Sequence, residues 1–539
     1  MTAPRPSVVL PDRAVGLVGL AARIRPWAGV SGTTWPSLLA VAAGMVAMGW
    51  IAALLVGRVD GLSAPPYDLA FFQQVIWNVG YKSQWLSSFH EGSFLGLHFS
   101  PILVVPALVE RLVWADVRVL SVFHAVAIGA LVPAAFLFLR AALRPSRAAG
   151  AIAAGLAIGI PLWGSMQDVI RSDFHPEVAG VGLALLAGWA GLSGRPRAMW
   201  AFAILALVTR EDLAYAVGVI GLVVAARGRG NLRRHGRILA LVAASWAVVV
   251  FSLLMPWLRD GAGSDTARYY AWLGGGLGVL AAPVTMTERV VAALTRPEPW
   301  FVVAGMTVSL LGLPLVRPRW GVLILPPLLA LLLSSHRWQA NVALQYSLIL
   351  VVPLLVSAGL GGRRVIVAAT RAQRRWRRRS IDDPARSVMR RGSTATVRRP
   401  SAHMGALLAG ALFPAVAGAW IQGSLPPFDR SDPAFLERPA SIDRLQRVAS
   451  GIPVAAVLVA DEGLVAPLAD RAAIRSLIAS AAPPRGAYVL VDREAWSSGP
   501  REAQRRGRIL EALRSSARPV LSDDGRFVLW GPQPGGGVP

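Results

Sequence analysis

The sequence predicts a polytopic α-helical membrane protein that crosses the bilayer about eleven times and ends in a small α/β domain outside it. Hydrophobic residues make up 54% of the 539 residues and charged residues 16%, whereas soluble domains average roughly 45–50% and about 25%. The apolar residues form runs long enough to cross a bilayer, which takes about 20 residues per helix. The net charge of +25 comes largely from arginines in short segments between these runs, as the positive-inside bias predicts.

The same composition excludes several classes of function. The chain has no cysteine, so disulfides, thiolate metal sites and cysteine nucleophiles are ruled out. Because membrane topology accounts for the positive charge, we do not expect nucleic acid as a partner. Residues 1–36 are basic but lack an early apolar core with a small-residue cleavage site, so we expect a cytoplasmic N-terminal tail and an uncleaved first span.

The transmembrane domain is predicted over residues 37–422. The first span covers residues 37–56, and residues 58–98 form a folded outer loop with one or two interfacial helices. Residues 101–113 are interpreted as interfacial or re-entrant, because a full crossing would place the basic residues 140–147 outside. Further crossings are predicted at residues 117–139, 151–162, 178–192, within a short hairpin at 198–226, and at 238–258, 301–316, 322–333, 348–360 and 406–421.

Two segments outside the spans have distinct compositions. Residues 363–400 contain the strongest basic run, RRWRRR, and are predicted to be a flexible cytoplasmic loop that touches anionic lipids. Residues 425–539 contain short β-branched runs, such as VAAVLVAD and GAYVLVDRE, between helix-like stretches. This alternation predicts the soluble α/β domain. With every basic loop on one side, this topology places the chain in the cytoplasmic membrane with the C-terminal domain extracytoplasmic.

Polar residues collect in five outer segments, which the topology places on the same side of the membrane. Ionisable residues beside spans are functional candidates by default. The candidate residues are Tyr67, Asp68, Gln73 and Gln74; His98; Arg171, Asp173, His175 and Glu177; Arg210, Glu211 and Asp212; and His336, Arg337, Gln345 and Tyr346.

This set of side chains suits group transfer at the membrane surface. A carboxylate can act as general base toward an acceptor, and arginine can neutralise a leaving phosphate with its planar fork of donors. Structural roles explain parts of the same pattern. Asp68 is also a suitable residue for a helix start, the RSDFHPE stretch is also a suitable turn into a span, and Arg210, Glu211 and Asp212 can form a self-satisfied ion cluster.

Several segments, in this order, resemble the bacterial family of predicted membrane proteins known as domain of unknown function 2079. They are YDLAFFQQVIW, LHFSPILVVPAL, RSDFHPE, TREDLAY, LQYSLILVVPLL, and two stretches of the C-terminal domain, IPVAAVLVADEGLVAPLADR and AYVLVDRE. The family is grouped with the GT-C superfamily of membrane glycosyltransferases. This resemblance implies a GT-C-like fold, a polyprenyl-phosphate-linked sugar as donor, and a catalytic role for Asp68 in the first outer loop.

The resulting hypothesis is a glycosyltransferase-like protein that transfers a sugar from a polyprenyl-phosphate donor at the extracytoplasmic face. The alternatives are a lipid or solute transporter or flippase, and a non-catalytic cell-envelope assembly protein. Asp68, Asp173 and Glu211 are the predicted catalytic residues. The predicted substrate-binding residues are Tyr67, Gln73, His98, Arg171, His175, Arg210, Asp212, Gln345 and Tyr346. For a divalent cation, Mg²⁺ or Mn²⁺, the candidate ligands are Asp68, Asp173 and His175.

Overall fold

The structure is a computed structural model that describes residues 34–65, 67–143, 147–260, 268–274, 278–381, 400–429, 441–479, 482–495 and 500–534. Most of the predicted N-terminal tail, and residues 382–399 of the predicted basic loop, lie outside this range. The described residues form a helical bundle that carries a small β-sheet domain at one end.

The helices of the first half surround the outer loop at the end of the first span. Helix α1 runs over Thr34–Asp60, and its C-terminal end meets the start of α5, where Arg118 bonds Asp60. Between them the chain forms α2 (Asp68–Lys82), α3 (Phe94–Leu97) and α4 (Val104–Leu112), before α5 (Arg118–Leu143). The outer loop therefore contains two helices, α2 and α3, in agreement with the predicted one or two. Residues 101–113 include α4, and their interfacial or re-entrant position stays a prediction.

The middle of the chain adds a series of shorter helices. These are α6 (Arg147–Ile158), α7 (Gly164–Arg171), α8 (Glu177–Leu192), α9 (Pro196–Leu207), α10 (Leu213–Arg227) and α11 (Asn231–Val249). Helices α9 and α10 form the predicted hairpin, and Arg210, Glu211 and Asp212 lie at its turn. Helix α11 continues through a π-helical turn, Val250–Leu254, into α12 (Met255–Leu258).

The later helices complete the bundle. They are α13 (Gly278–Thr285), α14 (Thr287–Leu294), α15 (Pro297–Ser309), α16 (Pro318–Gly321), α17 (Leu325–Leu332), α18 (Arg337–Ala340), α19 (Leu348–Ile381) and α20 (Pro400–Gln422). Helix α19 differs from the sequence prediction, which ended it near residue 360 and made the basic run a loop. The helix instead continues through the first arginines to Ile381, since arginine is a good helix former and the first breaker after the run is Pro384.

Within the part of the chain that the structure describes, five helical segments are long and apolar enough to cross a membrane: Trp35–Asp60, Arg118–Leu143, Asn231–Leu258, Arg337–Arg375 and His403–Gln422. A bent pair, Ala148–Leu162 with Gly164–Arg171, makes six if it is one span. Shorter apolar helices cover Glu177–Leu192, Pro196–Leu207, Leu213–Arg227 and Pro318–Leu332. The count of about eleven crossings stays a prediction.

Close helix packing depends on glycine at two helix pairs. A Cβ atom on Gly221 of α10 would lie 2.5 Å from the backbone nitrogen of Ala240, and one on Gly236 of α11 would lie 2.3 Å from that of Ala225. Helices α1 and α5 approach in the same way, since a Cβ atom on Gly44 would lie 2.5 Å from the carbonyl oxygen of Gly129. Small residues permit this backbone contact between membrane helices.

Arginines from separate segments gather at one end of the bundle. Arg317 lies near enough to Arg319, Arg227 and Arg364 for their like charges, after burial, to lower its pKa. Arg227 ends α10, and Arg364 lies well inside α19, whose first residue is Leu348. At 1.5 Å per residue, roughly 20 Å of helix separates these arginines from the polar turns at the other ends of α10 and α19.

The C-terminal domain contains one five-stranded sheet of order β2-β1-β3-β5-β4. The strands are β1 (Val457–Ala460), β2 (Ala473–Ser476), β3 (Tyr488–Asp492), β4 (Val520–Asp523) and β5 (Phe527–Trp530). Strand β1 pairs in parallel with β2 and β3, and β5 pairs antiparallel with β3 and β4. The helices are α21 (Ile442–Ala449), α22 (Glu462–Val465) and α23 (Pro500–Arg514).

The sheet is packed on both faces, and one face shares its core with the outer loop. Leu458, Leu490 and Leu529 belong to the same buried cluster as Leu69 and Phe72 of α2. On the opposite face, α23 contributes Ile509 and Leu513 to a separate cluster with the sheet. The C-terminal domain is therefore anchored through its hydrophobic core to the outer loop of the membrane domain.

Candidate functional site

Four turns and helix starts bring the polar segments together at the end of the bundle that carries the C-terminal domain. Asp68 is the first residue of α2, and Glu177 is the first residue of α8. Asp173 lies in the turn before α8 with a φ of 63°. Aspartate adopts this left-handed conformation more readily than most residues, so the turn can reverse without glycine. Carboxylates at helix starts are also favoured by the helix dipole.

A continuous chain of charged side chains links these turns. His175 places Nε2 3.6 Å from Oδ2 of Asp68 and Nδ1 3.6 Å from Oε2 of Glu177. Glu177 in turn pairs with the guanidinium of Arg210. Residues that are far apart in the sequence therefore form one electrostatic unit.

Arg210 is surrounded by acidic groups. Besides its pair with Glu177, its Nε lies 3.6 Å from Glu211 and 3.8 Å from Asp212. Glu211 also contacts Nδ1 of His98 at 3.0 Å and accepts a hydrogen bond from the backbone N–H of Phe99. The turn of the α9–α10 hairpin is thereby tied to the predicted His-Phe-Ser-Pro segment.

A second buried pair extends this unit toward α1. Nη1 of Arg58 lies 3.4 Å from Oδ1 of Asp173 and donates a hydrogen bond to the carbonyl oxygen of Arg171. The side chains of Arg58 and Asp173 are only 4% and 1% exposed. A charge buried this deeply needs its partner, because solvent no longer stabilises it.

Protonation preferences differ among the carboxylates. Burial would raise the pKa of Asp68, but the neighbouring imidazole of His175 outweighs it and the pKa is lowered. Burial raises the pKa of Asp173 to about 6, against the effect of Arg58. Burial likewise raises the pKa of Asp212 to about 6, against the effect of Arg210. Asp68 is therefore ionised at neutral pH, while Asp173 and Asp212 can hold a proton close to it.

The pKa values of Glu211 and His98, by contrast, are both lowered. Burial opposes ionisation of Glu211, but His98 and Arg210 together hold its pKa below the usual range. Burial and then the positive charge of Arg210 lower the pKa of His98. At neutral pH Glu211 is therefore an anion and His98 a neutral imidazole.

Two connected cavities open beside Arg210. The Arg210 cavity, of about 150 Å³, is lined by His98, Glu177, Arg210, Gln345 and Tyr346, among others. The apolar groove, of about 610 Å³, runs between α10, α11, α17 and α19. Its walls are mostly small or apolar residues, such as Ala214, Gly218 and Ala243, and it shares Glu211 and Asp212 with the Arg210 cavity.

A third cavity, the interdomain cleft, separates the membrane domain from the C-terminal domain. Its volume is about 530 Å³. Arg58, Asp68 and Arg171 line it on the membrane side, and Asp461 and Asp492 line it on the other. Asp68 is 42% exposed and so connects the buried ion pairs with this cleft.

The structure brings most of the predicted site residues together. Ten of them belong to the charged chain or line the adjoining cavities: Asp68, His98, Arg171, Asp173, His175, Arg210, Glu211, Asp212, Gln345 and Tyr346. Tyr67 is exposed and contacts the edge of Phe89. Gln73 is fully buried and donates a hydrogen bond to Asp470 of the C-terminal domain, so it lies in the domain interface.

Sequence reasoning assigned no catalytic or binding role to three residues of this site. Glu177 was quoted in its motif without a role, although it connects His175 to Arg210. Arg58 was taken only as the first residue of the outer loop, although it pairs with Asp173. His124 lies inside the α5 span and accepts a hydrogen bond from the backbone N–H of His175. A histidine within an apolar run was the signal that could have identified it.

No group of three or more histidine, aspartate or glutamate side chains that could hold a metal ion occurs among the residues the structure describes. Asp68 and His175 are neighbours, but Asp173 is paired with Arg58 instead. The divalent cation stays a prediction, and the chemistry proposed below uses only groups of the chain.

Comparisons with known proteins give three results. No curated protein matches the chain at a significant level. The crystal structure of ArnT from Cupriavidus metallidurans bound to undecaprenyl phosphate is similar, with 13% identity, a TM-score of 0.46, and coverage of 93% of this chain and 98% of that chain. The apo structure of the same protein gives 14% identity, a TM-score of 0.42, and coverage of 90% and 98%.

The family comparison covers most of the sequence, including every residue of the charged chain from Arg58 onward. The family described as "Predicted membrane protein (DUF2079)" matches residues 58–516. The chain therefore belongs to the DUF2079 family of predicted membrane proteins.

Proposed function

We propose that this protein is a glycosyltransferase-like enzyme of the cytoplasmic membrane, which transfers a sugar from a polyprenyl-phosphate donor to an acceptor at the extracytoplasmic face. The observation that carries the proposal is that the apolar groove ends at Glu211 and Asp212, beside Arg210. A lipid-linked sugar has the same division, because it joins a long apolar chain to a charged head.

The groove accounts for the lipid part of the donor. Its lining is almost entirely apolar, and Leu222 of α10 and Leu241 of α11 are exposed on the outside of the bundle. An isoprenoid chain can enter such a groove sideways from the bilayer without meeting water. Van der Waals packing against the small groove residues then holds it.

Arg210 is the group proposed to hold the donor phosphate. It is mostly buried and always charged, and its fork of N–H groups fits phosphate oxygens as well as carboxylates. In the free protein Glu177 occupies this fork. We infer that the phosphate takes the place of Glu177, while Asp212, with a pKa of about 6, takes up a proton and so limits the negative charge around Arg210.

Asp68 is the proposed general base. It is ionised at neutral pH, faces the interdomain cleft and is joined to Arg210 through His175 and Glu177. In the transfer step Asp68 accepts the proton of the acceptor hydroxyl, and the acceptor oxygen forms a bond to the anomeric carbon. The bond from that carbon to the phosphate oxygen breaks, and polyprenyl phosphate leaves with the electron pair.

The decisive experiment measures release of polyprenyl phosphate from a radiolabelled polyprenyl-phosphate sugar by the full-length protein in nanodiscs. Asp68→Asn should reduce release at least about 100-fold, the size typical of losing a general base. Asp523→Asn, at an exposed β4 position outside the three cavities, is the matched control and should keep wild-type activity.

Two outcomes would contradict the proposal. Wild-type turnover by Asp68→Asn would remove Asp68 from the chemistry. Movement of the labelled lipid across the bilayer, without release of polyprenyl phosphate, would favour the transporter alternative.

A further inference from the structure

The interdomain cleft is built by two domains and has the size of a ligand site. Its volume of about 530 Å³ lies within the roughly 300–1,000 Å³ range of small-molecule pockets. The charged chain of the membrane domain reaches it only at Asp68, Arg58 and Arg171. The apolar groove approaches Arg210 from other helices. The cleft and the groove are therefore separate approaches to one set of charged residues.

The sheet topology marks the same place as a binding edge. Strands β1 and β3 are parallel neighbours, and their carboxyl ends carry Asp461 and Asp492. The segment after β1, which includes α22, packs on the face toward the outer loop, whereas α23 after β3 packs on the opposite face. In open α/β sheets, ligands bind in the crevice at the carboxyl ends of two neighbouring strands whose following connections lie on opposite faces of the sheet.

The two aspartates at this edge are already held in place. Arg506 donates two hydrogen bonds to Asp461, at 2.8 and 2.9 Å, and Arg526 donates two to Asp492, both at 2.9 Å. Their negative charges are thus neutralised within the C-terminal domain. They form a fixed wall and do not make the cleft a site for cations.

Other groups that line the cleft are mixed donors and acceptors. Burial and then the neighbouring Glu502 raise the pKa of Glu462 to about 8, so Glu462 is mainly protonated at neutral pH and can both donate and accept. Across the cleft, Arg171 is exposed and donates, while Asp68 accepts. Such a mixture suits a molecule with many hydroxyl groups better than one with a single strong charge.

One wall adds an aromatic surface. Trp338 is 46% exposed and lines the cleft together with Leu62 and Leu344. A tryptophan ring offers a flat apolar face and a polar N–H edge. The apolar C–H face of a sugar ring can lie against such a surface while its hydroxyls reach the polar groups.

We propose that the interdomain cleft is a carbohydrate-binding subsite, in which Arg171 and Glu462 bind hydroxyl groups and Trp338 supports the ring face. That the bound carbohydrate is the acceptor of the transfer rests on the function proposed above. The nucleophilic hydroxyl then lies toward Asp68, the one residue shared by the cleft and the proposed chemistry.

The test measures binding without turnover. Full-length protein in nanodiscs is applied to an array of bacterial-envelope oligosaccharides, each offered with and without a lipid anchor. We expect wild type to bind a subset, and Trp338→Ala and Glu462→Ala each to lower the apparent affinity at least about tenfold. Binding of only the anchored forms would assign the subsite to the head of a glycolipid, and equal binding of both forms to a free or polymeric glycan.

Matched controls separate loss of the subsite from loss of the fold. Trp257→Ala and Glu511→Ala alter exposed residues outside the cleft and should bind as wild type does. Melting temperatures of all variants are compared, and Trp338→Phe should keep part of the affinity. Absence of carbohydrate binding by wild type, or unchanged binding by both cleft variants, would overturn the inference.

The inference and the proposed function can fail independently. Asp68→Asn is used only to measure release of polyprenyl phosphate, whereas Trp338→Ala and Glu462→Ala report carbohydrate binding. If carbohydrates bind to the cleft and no polyprenyl phosphate is released in their presence, the subsite stands and the transferase proposal fails. If polyprenyl phosphate is released and the cleft variants show no binding defect, the transferase proposal stands and the subsite inference fails.

Discussion

Asp68 and His175 face each other across 3.6 Å, from Oδ2 to Nε2, although they belong to different outer segments of the chain. The contact joins an exposed carboxylate to a buried imidazole, which are 42% and 3% exposed. It also lowers the pKa of Asp68, against the opposing effect of partial burial. The proposed base therefore depends on a residue from another segment.

Replacing His175 should shift the pH dependence of transfer. In His175→Ala the imidazole that lowers the pKa of Asp68 is lost while the burial of Asp68 remains, so this pKa rises. A base with a higher pKa becomes protonated at higher pH, and the acidic limb of kcat/KM should move upward. A pH–rate profile of polyprenyl phosphate release measures this shift.

The control for this prediction is His235→Ala. His235 accepts a hydrogen bond from Trp200 and lies in the first turns of α11, away from the charged chain. Its loss should leave the acidic limb where it is. An unchanged limb in His175→Ala would show that this histidine does not set the ionisation of the base.

The Arg58–Asp173 pair gives a prediction about stability. Arg58→Gln leaves the Asp173 carboxylate buried without its cation, and breaking such a pair typically costs about 3–5 kcal/mol. The pKa of Asp173, already raised to about 6 by burial, should rise further, so the variant should recover stability as the pH falls and the acid becomes neutral. Thermal unfolding in detergent between pH 5 and pH 8 tests both statements.

A double-mutant cycle supplies the control. Adding Asp173→Asn to Arg58→Gln removes the uncompensated charge, so the double variant should be more stable at pH 8 than Arg58→Gln alone. Equal destabilisation of the single and double variants would mean that the pair contributes through packing and not through charge.

The sequence was sufficient to identify the polar segments but not their partners. Ionisable residues beside spans, such as Asp68 and Arg210, are noticeable because the bilayer makes them costly. Which of them touch depends on how the turns fold, and nothing in the sequence spacing indicated that Glu177 would lie between His175 and Arg210. Gln73 shows the same limit, since its helix was predicted and its contact with Asp470 was not.

The boundaries of the elements show where local patterns mislead. Residues 363–381 were predicted to be a loop from their charge, but arginine favours helices and the preceding span already supplied the nucleus. The turn at Arg210–Asp212 was predicted correctly because basic residues on both sides required the chain to return. Charge alone is thus a poor guide to secondary structure.

Glycine packing in the membrane domain gives a third prediction. In Gly221→Leu the new side chain meets the backbone of α11, since even a Cβ atom would lie 2.5 Å from the Ala240 nitrogen. We expect the α10–α11 contact to open and the melting temperature in detergent to fall by several degrees. Gly49→Leu is the matched control, because nothing lies within 4 Å of a Cβ atom there, and a similar loss in both variants would contradict the close-packing explanation.

Glu110 makes the domain interface sensitive to pH. It is 1% exposed, and neither carboxylate oxygen has a hydrogen-bond partner among the described residues. Burial and then the charge of Asp470 raise its pKa to about 9, while Asp470 itself is raised to about 6, chiefly by burial. Because the folded protein holds these protons more tightly than the unfolded chain, stability should fall as the pH rises from about 5 toward 9.

Glu110→Gln removes the largest part of this dependence, because the amide stays neutral at every pH. The variant should match wild type near pH 5 and become progressively more stable than wild type toward pH 8.5, with unfolding followed by the fluorescence of the buried tryptophans. Glu91→Gln, at an exposed position of the same outer loop, should follow the wild-type curve throughout. If Glu110→Gln also follows that curve, Glu110 is not the protonated acid of the interface, and the docking of the C-terminal domain onto α2 and α4 is set by its hydrophobic core alone.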